Sequence, residues 1–339
     1  MKALIKILAI GMLLSAVSVG VTSCGGDEPK KTPEVPVVPP EPTPPTPNPN
    51  PDPNPNPQPD PQPEPNPNAA DYPAKVIVEM AEGHMHGSLF HGNPFSSEFP
   101  LRKIQRMTLV RQGDKYVHSA GEKIFNITGG SAWSVIVSIF DDKGVRLNSK
   151  YLTSEEAKLC QMFVTVSNVK DLKTSAVKNM PAAQVLAPFV YRDTDPEDKM
   201  LQRNSNDVVL TKSNVGFKGY FCDIALAAKP TKENKGGGIL GEYISFDLNL
   251  WFMRFKSAEE KANGGNPYSA FDADAHKKAS PVFDISVPAR IITNHPWSDS
   301  DEERYVRDIA ETFGMSFDQV NDAWNNLMDI DPESANYYI

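Results

Sequence analysis

A proline-rich tract near the beginning of the chain limits what that region can fold into. Nineteen of the 31 prolines lie between Pro29 and Pro67, and from Thr32 to Asn68 proline occupies nearly every second position. Proline fixes φ and has no backbone N–H to donate, so neither a helix nor a sheet can form and polyproline II remains. At about 3.1 Å per residue the tract spans at most roughly 115 Å as a semi-rigid spacer. We therefore expect residues 24–72 to be a linker.

The residues before the linker are typical of an exported lipoprotein. Two lysines precede an apolar run from Ile7 to Val21, which predicts a secretory signal peptide over residues 1–23. The run leads into Val-Thr-Ser-Cys24, which resembles the lipobox of bacterial lipoproteins. The resemblance implies cleavage before Cys24 and acylation of its thiol. The alternative is an ordinary export signal that is followed by a cysteine by chance.

A short acidic stretch directly after Cys24 carries a second resemblance. Asp27 and Glu28 are similar to the signal that sends lipoproteins of the Bacteroides group to the outer face of the outer membrane. Each buried lipid methylene contributes about 0.8 kcal/mol, so a multiply acylated cysteine anchors a protein without a spanning helix. We therefore expect an outer-membrane location, with the lipid on Cys24 as the anchor and the body facing the cell exterior.

The composition of the whole chain excludes several functional classes. The chain has 40% hydrophobic and 23% charged residues, which suits at least one globular domain. A polytopic membrane protein would need a much larger fraction of hydrophobic residues. The formal net charge is −9, and no basic block occurs outside the signal peptide. An acidic body argues against nucleic acid as a partner and against electrostatic binding to anionic lipid.

Alternation of apolar and polar residues predicts strands throughout the body. The clearest case is Ile244–Phe252, in which every second residue is apolar. We expect the strand Phe217–Ala228 to pair with Ile244–Phe252 in a hairpin whose long loop includes Lys229–Gly238. A second hairpin is predicted between Trp133–Phe140 and Val145–Leu152. Five further strands are predicted, at Lys75–Ala81, Arg106–Gln112, Met162–Ser167, Asp207–Thr211 and Val282–Ile292.

Helix signals cluster at the end of the chain. Ser298 and Asp299 can cap a helix over Glu302–Phe313, and Gly314 can end it. Ser316 can cap a second helix over Phe317–Met328. The second helix contains no lysine or arginine, which argues against a helix-turn-helix that reads DNA.

These patterns together define a mainly β fold class. Short strands at regular spacing, separated by turn residues, favour antiparallel sheets that pack face to face. We expect one or two antiparallel β-sandwich units in residues 73–298, followed by a C-terminal helical hairpin and tail in residues 299–339.

A histidine cluster is the least random feature of the body. Three of the six histidines, His84, His86 and His91, fall within eight residues. On a strand, His84 and His86 share one face, about 6.6–7 Å apart at Cα, and Gly87 and Gly92 allow a turn that could return His91 to the same site. Neutral imidazole suits zinc, copper, nickel and iron, while Met85 would favour copper(I) or a haem iron. The sequence therefore predicts a transition-metal or haem site.

A complete metal shell needs ligands from elsewhere, and the sequence leaves them open. His118 is one candidate, and the others are His276, His295, Asp272 and Asp274. The alternative interpretation is that the histidines are loop residues bonded to the backbone, with no ligand at all.

Two cysteines remain once Cys24 is assigned to lipid. Cys160 and Cys222 are a disulfide candidate in an exported protein, and closing that loop would contribute on the order of 4 kcal/mol. A buried free thiol in the apolar surroundings of Cys222 is the equal alternative. Neither cysteine has the basic or glycine-rich neighbours that lower a thiol pKa, so a catalytic cysteine is not indicated.

The function expected from these features is ligand binding at the cell surface. We expect a lipoprotein that captures a metal ion, or a metal-bearing nutrient such as haem, for an outer-membrane transporter. A structural or adhesive surface protein without a small ligand and a glycan-binding or glycan-processing protein are the alternatives. The Gly-x-Ser-x-Gly, P-loop and dinucleotide motifs are absent from the sequence, so an enzyme is the less favoured interpretation.

Overall fold

The computed structural model describes most of the body. The described residues are 72–186, 188–198, 214–221, 243–272, 274–296 and 298–339. The predicted signal peptide, Cys24, the linker, the predicted strand Asp207–Thr211 and Cys222 lie outside them.

Two β-sheets make up most of the described structure. The larger sheet has the strand order β4-β3-β1-β6-β9-β8, with β2 paired to β1, and the smaller has the order β5-β11-β10-β7. Paired strands of the described residues are antiparallel except for the parallel pair of β5 and β11. The strands are β1 (Lys75–His86), β2 (Leu89–Gly92), β3 (Gln105–Gln112), β4 (Lys115–Gly121), β5 (Phe125–Gly129), β6 (Ala132–Phe140), β7 (Cys160–Asp171), β8 (Phe189–Tyr191), β9 (Lys218–Phe221), β10 (Ile244–Arg254) and β11 (Ser280–Asn294).

The two sheets pack face to face over one apolar core. Val76 and Val78 of β1 belong to the same buried cluster as Leu248 and Leu250 of β10. Successive side chains of a strand point to opposite faces, so alternate residues of β1, β6, β10 and β11 enter this core. The mainly β prediction is confirmed, and the described residues form one sandwich.

A pair of helices packs on a second, smaller core. This core contains Phe99, which lies outside the helices, and Tyr305 of the first helix, and both side chains are fully buried. Gly314 ends the first helix with φ +65°, and Ser316 begins the second with a capping box that it shares with Gln319. The predicted helical pair is confirmed. The helices are α1 (Asn148–Leu152), α2 (Ala182–Val185), α3 (Ala258–Ala262), α4 (Asp299–Phe313) and α5 (Phe317–Met328).

Membrane-spanning helices are not found among the described residues, since none of the helices there is both long and apolar enough.

The predicted hairpin between Trp133–Phe140 and Val145–Leu152 is wrong. The second segment makes one bridge to β6 at Arg146 and then forms α1. The Asn148 side chain accepts from the Ile139 backbone N–H at 2.9 Å and donates to the Val137 carbonyl at 2.7 Å. The Asn148 amide thus forms the hydrogen bonds with the β6 backbone that a neighbouring strand would otherwise form. The backbone groups of β6 are therefore satisfied without a strand at this position.

The predicted hairpin between Phe217–Ala228 and Ile244–Phe252 is also wrong in its described part. Lys218–Phe221 is β9, which lies between β6 and β8 in the larger sheet. The Ile244 strand is β10, which lies in the smaller sheet between β11 and β7. Both strands exist, but they belong to opposite layers of the sandwich.

Candidate metal centre

The histidine cluster lies on a tight β-hairpin at one end of β1. The strands β1 and β2 are joined by Gly87 and Ser88, and Gly87 has φ +64°. The register pairs His84 with His91 across the hairpin and places His86 two residues further along the same face of β1. Cross-strand partners and diagonal neighbours on one face are close enough for their side chains to meet. The predicted return of His91 to the other two histidines is confirmed.

The hairpin can close this tightly because glycine occupies position 83. A Cβ atom added to Gly83 would lie 2.2 Å from the carbonyl oxygen of His91 and 2.4 Å from the ring of Phe90. Any side chain there would push β2 away from β1. Gly83 therefore sets the distance across the hairpin on which the histidine geometry depends.

Three ring nitrogens converge on one point. The distances are 3.1 Å from His84 Nε2 to His86 Nε2, 3.2 Å from His86 Nε2 to His91 Nδ1, and 3.3 Å from His91 Nδ1 to His84 Nε2. Two nitrogens bound to a tetrahedral zinc at about 2.0–2.1 Å lie roughly 3.3 Å apart. The triangle thus has the size of one face of a zinc coordination shell.

Hydrogen-bond acceptors beside the outer nitrogens of His84 and His91 determine where the protons of these two rings lie. His84 Nδ1 lies 2.9 Å from Asn93 Oδ1, and His91 Nε2 lies 2.8 Å from the carbonyl oxygen of Ala335. Both partners are acceptors, so the protons of the neutral rings lie on these outer nitrogens. The inner nitrogens therefore carry lone pairs that face each other, and a cation placed between them would satisfy both.

A carboxylate from the end of the described chain joins the histidines. Glu333 lies on a short 3₁₀ turn, Pro332–Ser334, and its Oε1 is 3.2 Å from His86 Nε2. One ligand atom from each of His84, His86, His91 and Glu333 lies within 4.8 Å of the others. Sequence reasoning missed Glu333, since nothing near it in the sequence distinguishes it from other surface carboxylates.

The site is open on one side and closed on the other. The side chains of His86 and Glu333 are 30% and 33% exposed, whereas His91 is fully buried. His91 also stacks on the ring of Tyr338, with ring centroids 4.3 Å apart and planes inclined by 6°. An ion can therefore enter from solvent beside His86 and Glu333 and meet the fixed ring of His91.

Other residues that the sequence suggested as ligands lie apart from this cluster. Met85 points to the opposite face of β1 and packs in the apolar cluster that contains Phe90 and Tyr337. His118 is exposed on β4, and its ring contacts the carbonyl oxygen of Glu122 at 3.0 Å. Neither of these two candidates contributes a ligand atom.

The remaining ligand candidates have other surroundings. His295 is half-buried near Glu82 and Arg102, and the partial burial of its ring lowers its pKa. Asp272 accepts from the backbone N–H groups of Asp274 and Ala275, as a turn residue does. The side chain of His276 lies outside the described part of the chain.

Cys160 is a buried thiol with no sign of reactivity. Its Sγ lies 3.8 Å from Glu156 Oε2, and burial raises its pKa to about 12. A thiol that stays protonated is a poor nucleophile. Since Cys222 lies outside the described residues, the disulfide between the two cysteines stays a prediction.

The ligand set determines which metal species the cluster can hold. Three imidazoles and one carboxylate suit a divalent ion such as zinc, and the soft thioether that favours copper(I) is turned away. Two histidines that ligate the same haem iron lie on opposite faces of a flat macrocycle. Nitrogens only 3.1–3.3 Å apart leave no space for a macrocycle between them.

Comparison of the chain with protein-family models, with curated proteins and with solved structures finds no match.

Proposed function

We propose that this protein is a surface lipoprotein that captures a divalent transition-metal ion, with zinc as the best fit, at His84, His86 and His91. One observation carries the proposal: three inner ring nitrogens lie 3.1–3.3 Å apart while two of the rings give their protons to outer acceptors. The ring of His86 can place one proton on its inner nitrogen, and that proton can satisfy only one of the other two inner nitrogens, so without a cation at least one lone pair stays unpaired.

The ion itself, rather than haem, is the proposed ligand. Three convergent imidazoles with a neighbouring carboxylate suit a divalent ion. Met85, whose thioether would favour copper(I), packs on the other face of β1. The partly exposed His86 and Glu333 give the ion a path from solvent, which capture requires.

The location proposed for this activity rests on the sequence before the body. The lipobox-like Val21–Cys24 and the acidic pair Asp27–Glu28 support an anchor in the outer membrane that faces the exterior. The proline-rich linker would hold the metal site away from the lipid surface. A transporter in the same membrane is the partner that this placement suggests.

Metal titration of purified, metal-stripped protein tests the proposal. Wild-type protein should bind one equivalent of zinc, measured by competition with a chromophoric chelator. Zinc at a hundred times its Kd should add about 2.7 kcal/mol to the free energy of unfolding, because it binds only the folded state. For a body of this size that corresponds to a rise in melting temperature of roughly 5–10 °C. Haemin should produce no shift.

Two variants separate a metal site from a chance cluster. His84→Ala combined with His86→Ala should lower zinc affinity at least a hundredfold and abolish the thermal shift. His118→Ala, which removes an exposed histidine outside the cluster, should bind zinc as wild type does. Absence of zinc binding by the wild-type protein, or unchanged binding by the double variant, would refute the proposal.

A further inference from the structure

The end of the chain, which carries Glu333, is attached to the hairpin of β1 and β2 by two kinds of contact, backbone pairing and side-chain contacts. Its last three residues, Tyr337–Ile339, are buried and run beside β2. The Phe90 N–H donates to the Ile339 carbonyl at 3.0 Å, the Ile339 N–H donates back to the Phe90 carbonyl at 3.0 Å, and the Gly92 N–H donates to the Tyr337 carbonyl at 2.7 Å. These backbone bonds make the last residues part of the sheet.

The preceding residues, 331–336, here called the clamp segment, are held differently. Asp331, Pro332, Ser334 and Asn336 are exposed. The segment reaches the hairpin through the Glu333 carboxylate, which contacts His86, and through the Ala335 carbonyl, which accepts from His91. Both contacts end on rings of the proposed metal ligands.

A partly exposed contact between a carboxylate and a histidine holds a segment weakly. The contact that Glu333 makes with His86, with both side chains about one third exposed, contributes little to stability, because water screens the charge and holding the two side chains together costs conformational entropy. A carboxylate that coordinates a metal is held by the free energy of binding, which is available only in the folded state. The attachment of the clamp segment should therefore depend strongly on whether metal is bound.

We propose that Glu333 is the fourth ligand of the ion, so that metal binding fastens the clamp segment over the hairpin. The inference rests on the proposed zinc site and adds a consequence to it. In the metal-free protein the clamp segment opens by local unfolding while Tyr337–Ile339 stays paired. Once the ion is bound, the bond from Glu333 closes the exposed side of the site, so release of the ion requires the clamp segment to open.

Glu333→Gln tests this step because it keeps the shape of the side chain and removes the ligand charge. Zinc should still bind to the three histidines, with at least tenfold lower affinity than in wild type. The visible spectrum of bound cobalt(II), which depends on the ligand set, should also differ from that of wild type. Glu98→Gln, at an exposed carboxylate in the loop after β2, is the matched control and should change neither property.

Hydrogen exchange measures the clamp segment directly. In wild type, saturating zinc should slow amide exchange in residues 333–336 at least tenfold, and in Glu333→Gln saturating zinc should not slow it. Equal zinc affinity and equal protection in Glu333→Gln would overturn the clamp while leaving the histidine site intact. Failure of wild-type protein to bind zinc would overturn both proposals.

Discussion

At the scale of single residues, the proposed metal site depends on atoms that would not touch the ion. Asn93 fixes the ring of His84 through Nδ1, and the Ala335 carbonyl does the same for His91 through Nε2. Outer hydrogen bonds of this kind set both the tautomer and the orientation of a metal-binding histidine.

Replacement of Asn93 by alanine tests this role. Without the acceptor, His84 is free to rotate or to place its proton on the inner nitrogen, so Asn93→Ala should lower zinc affinity by roughly 10- to 100-fold. Competition with a chromophoric chelator measures the change. Asn325→Ala, on the exposed side of α5, should bind zinc as wild type does. Wild-type affinity in Asn93→Ala would mean that packing alone orients the ring.

The sequence predicts the residues of the site that are close along the chain and misses the distant ones. His84, His86 and His91 could be predicted because two-residue periodicity and a glycine turn place them on one face of a hairpin. Ala335 lies 244 positions from His91, and Glu333 is equally remote. Contacts of this range depend on how the whole body folds, which no local pattern records.

At the scale of elements, the hairpin of β1 and β2 is the unit that builds the site. Its geometry depends on close approach of the backbones at Gly83, where a Cβ would lie 2.2 Å from the carbonyl oxygen of His91. Strand register determines which side chains share a face, so displacement of β2 would separate His91 from His84.

Gly83→Ala should therefore impair stability and metal binding together. Overpacking against backbone costs about 1–3 kcal/mol, and the shifted β2 should lower zinc affinity at least tenfold. Gly113→Ala is the control: Gly113 has φ +64° but open space around it, so the change should cost about 1 kcal/mol from backbone strain and leave zinc binding intact. Urea unfolding and zinc titration measure both effects. Equal behaviour of the two variants would contradict the steric argument.

Local sequence patterns predict where helices and strands lie better than they predict which strands pair with one another. The two helices α4 and α5 were predictable because caps and a C-terminal glycine define their ends within a few residues. The strand β10 was predictable from its alternation, but alternation does not identify which layer of a sandwich a strand joins. For this reason the sequence pattern predicts the wrong partner for β9. The Asn148 amide, which takes the place of a strand beside β6, has no signature in the sequence.

At the scale of the whole molecule, the sandwich brings the two ends of the body together. The site combines β1, the first strand of the body, with residues beyond the helical pair. A metal ion there would join distant parts of the chain, so its binding should report on the fold of the whole body. The proposed anchor and linker would then determine where this body is placed but not what it binds.

The lipid anchor is the last prediction, and it concerns the placement of the entire molecule. If the thiol of Cys24 is acylated, the expressed protein should partition into the detergent phase and incorporate labelled palmitate. Cys24→Ser should move it to the aqueous phase, because the anchoring free energy of about 0.8 kcal/mol per buried methylene is lost. Cys160→Ser makes the same chemical change at the buried thiol of β7 and should leave the protein in the detergent phase. Zinc affinity should be the same for Cys24→Ser and wild type, since the proposed metal ligands all lie in the body. A Cys24→Ser protein that still partitions into detergent would contradict the lipoprotein assignment and, with it, the proposed position of the metal site at the cell surface.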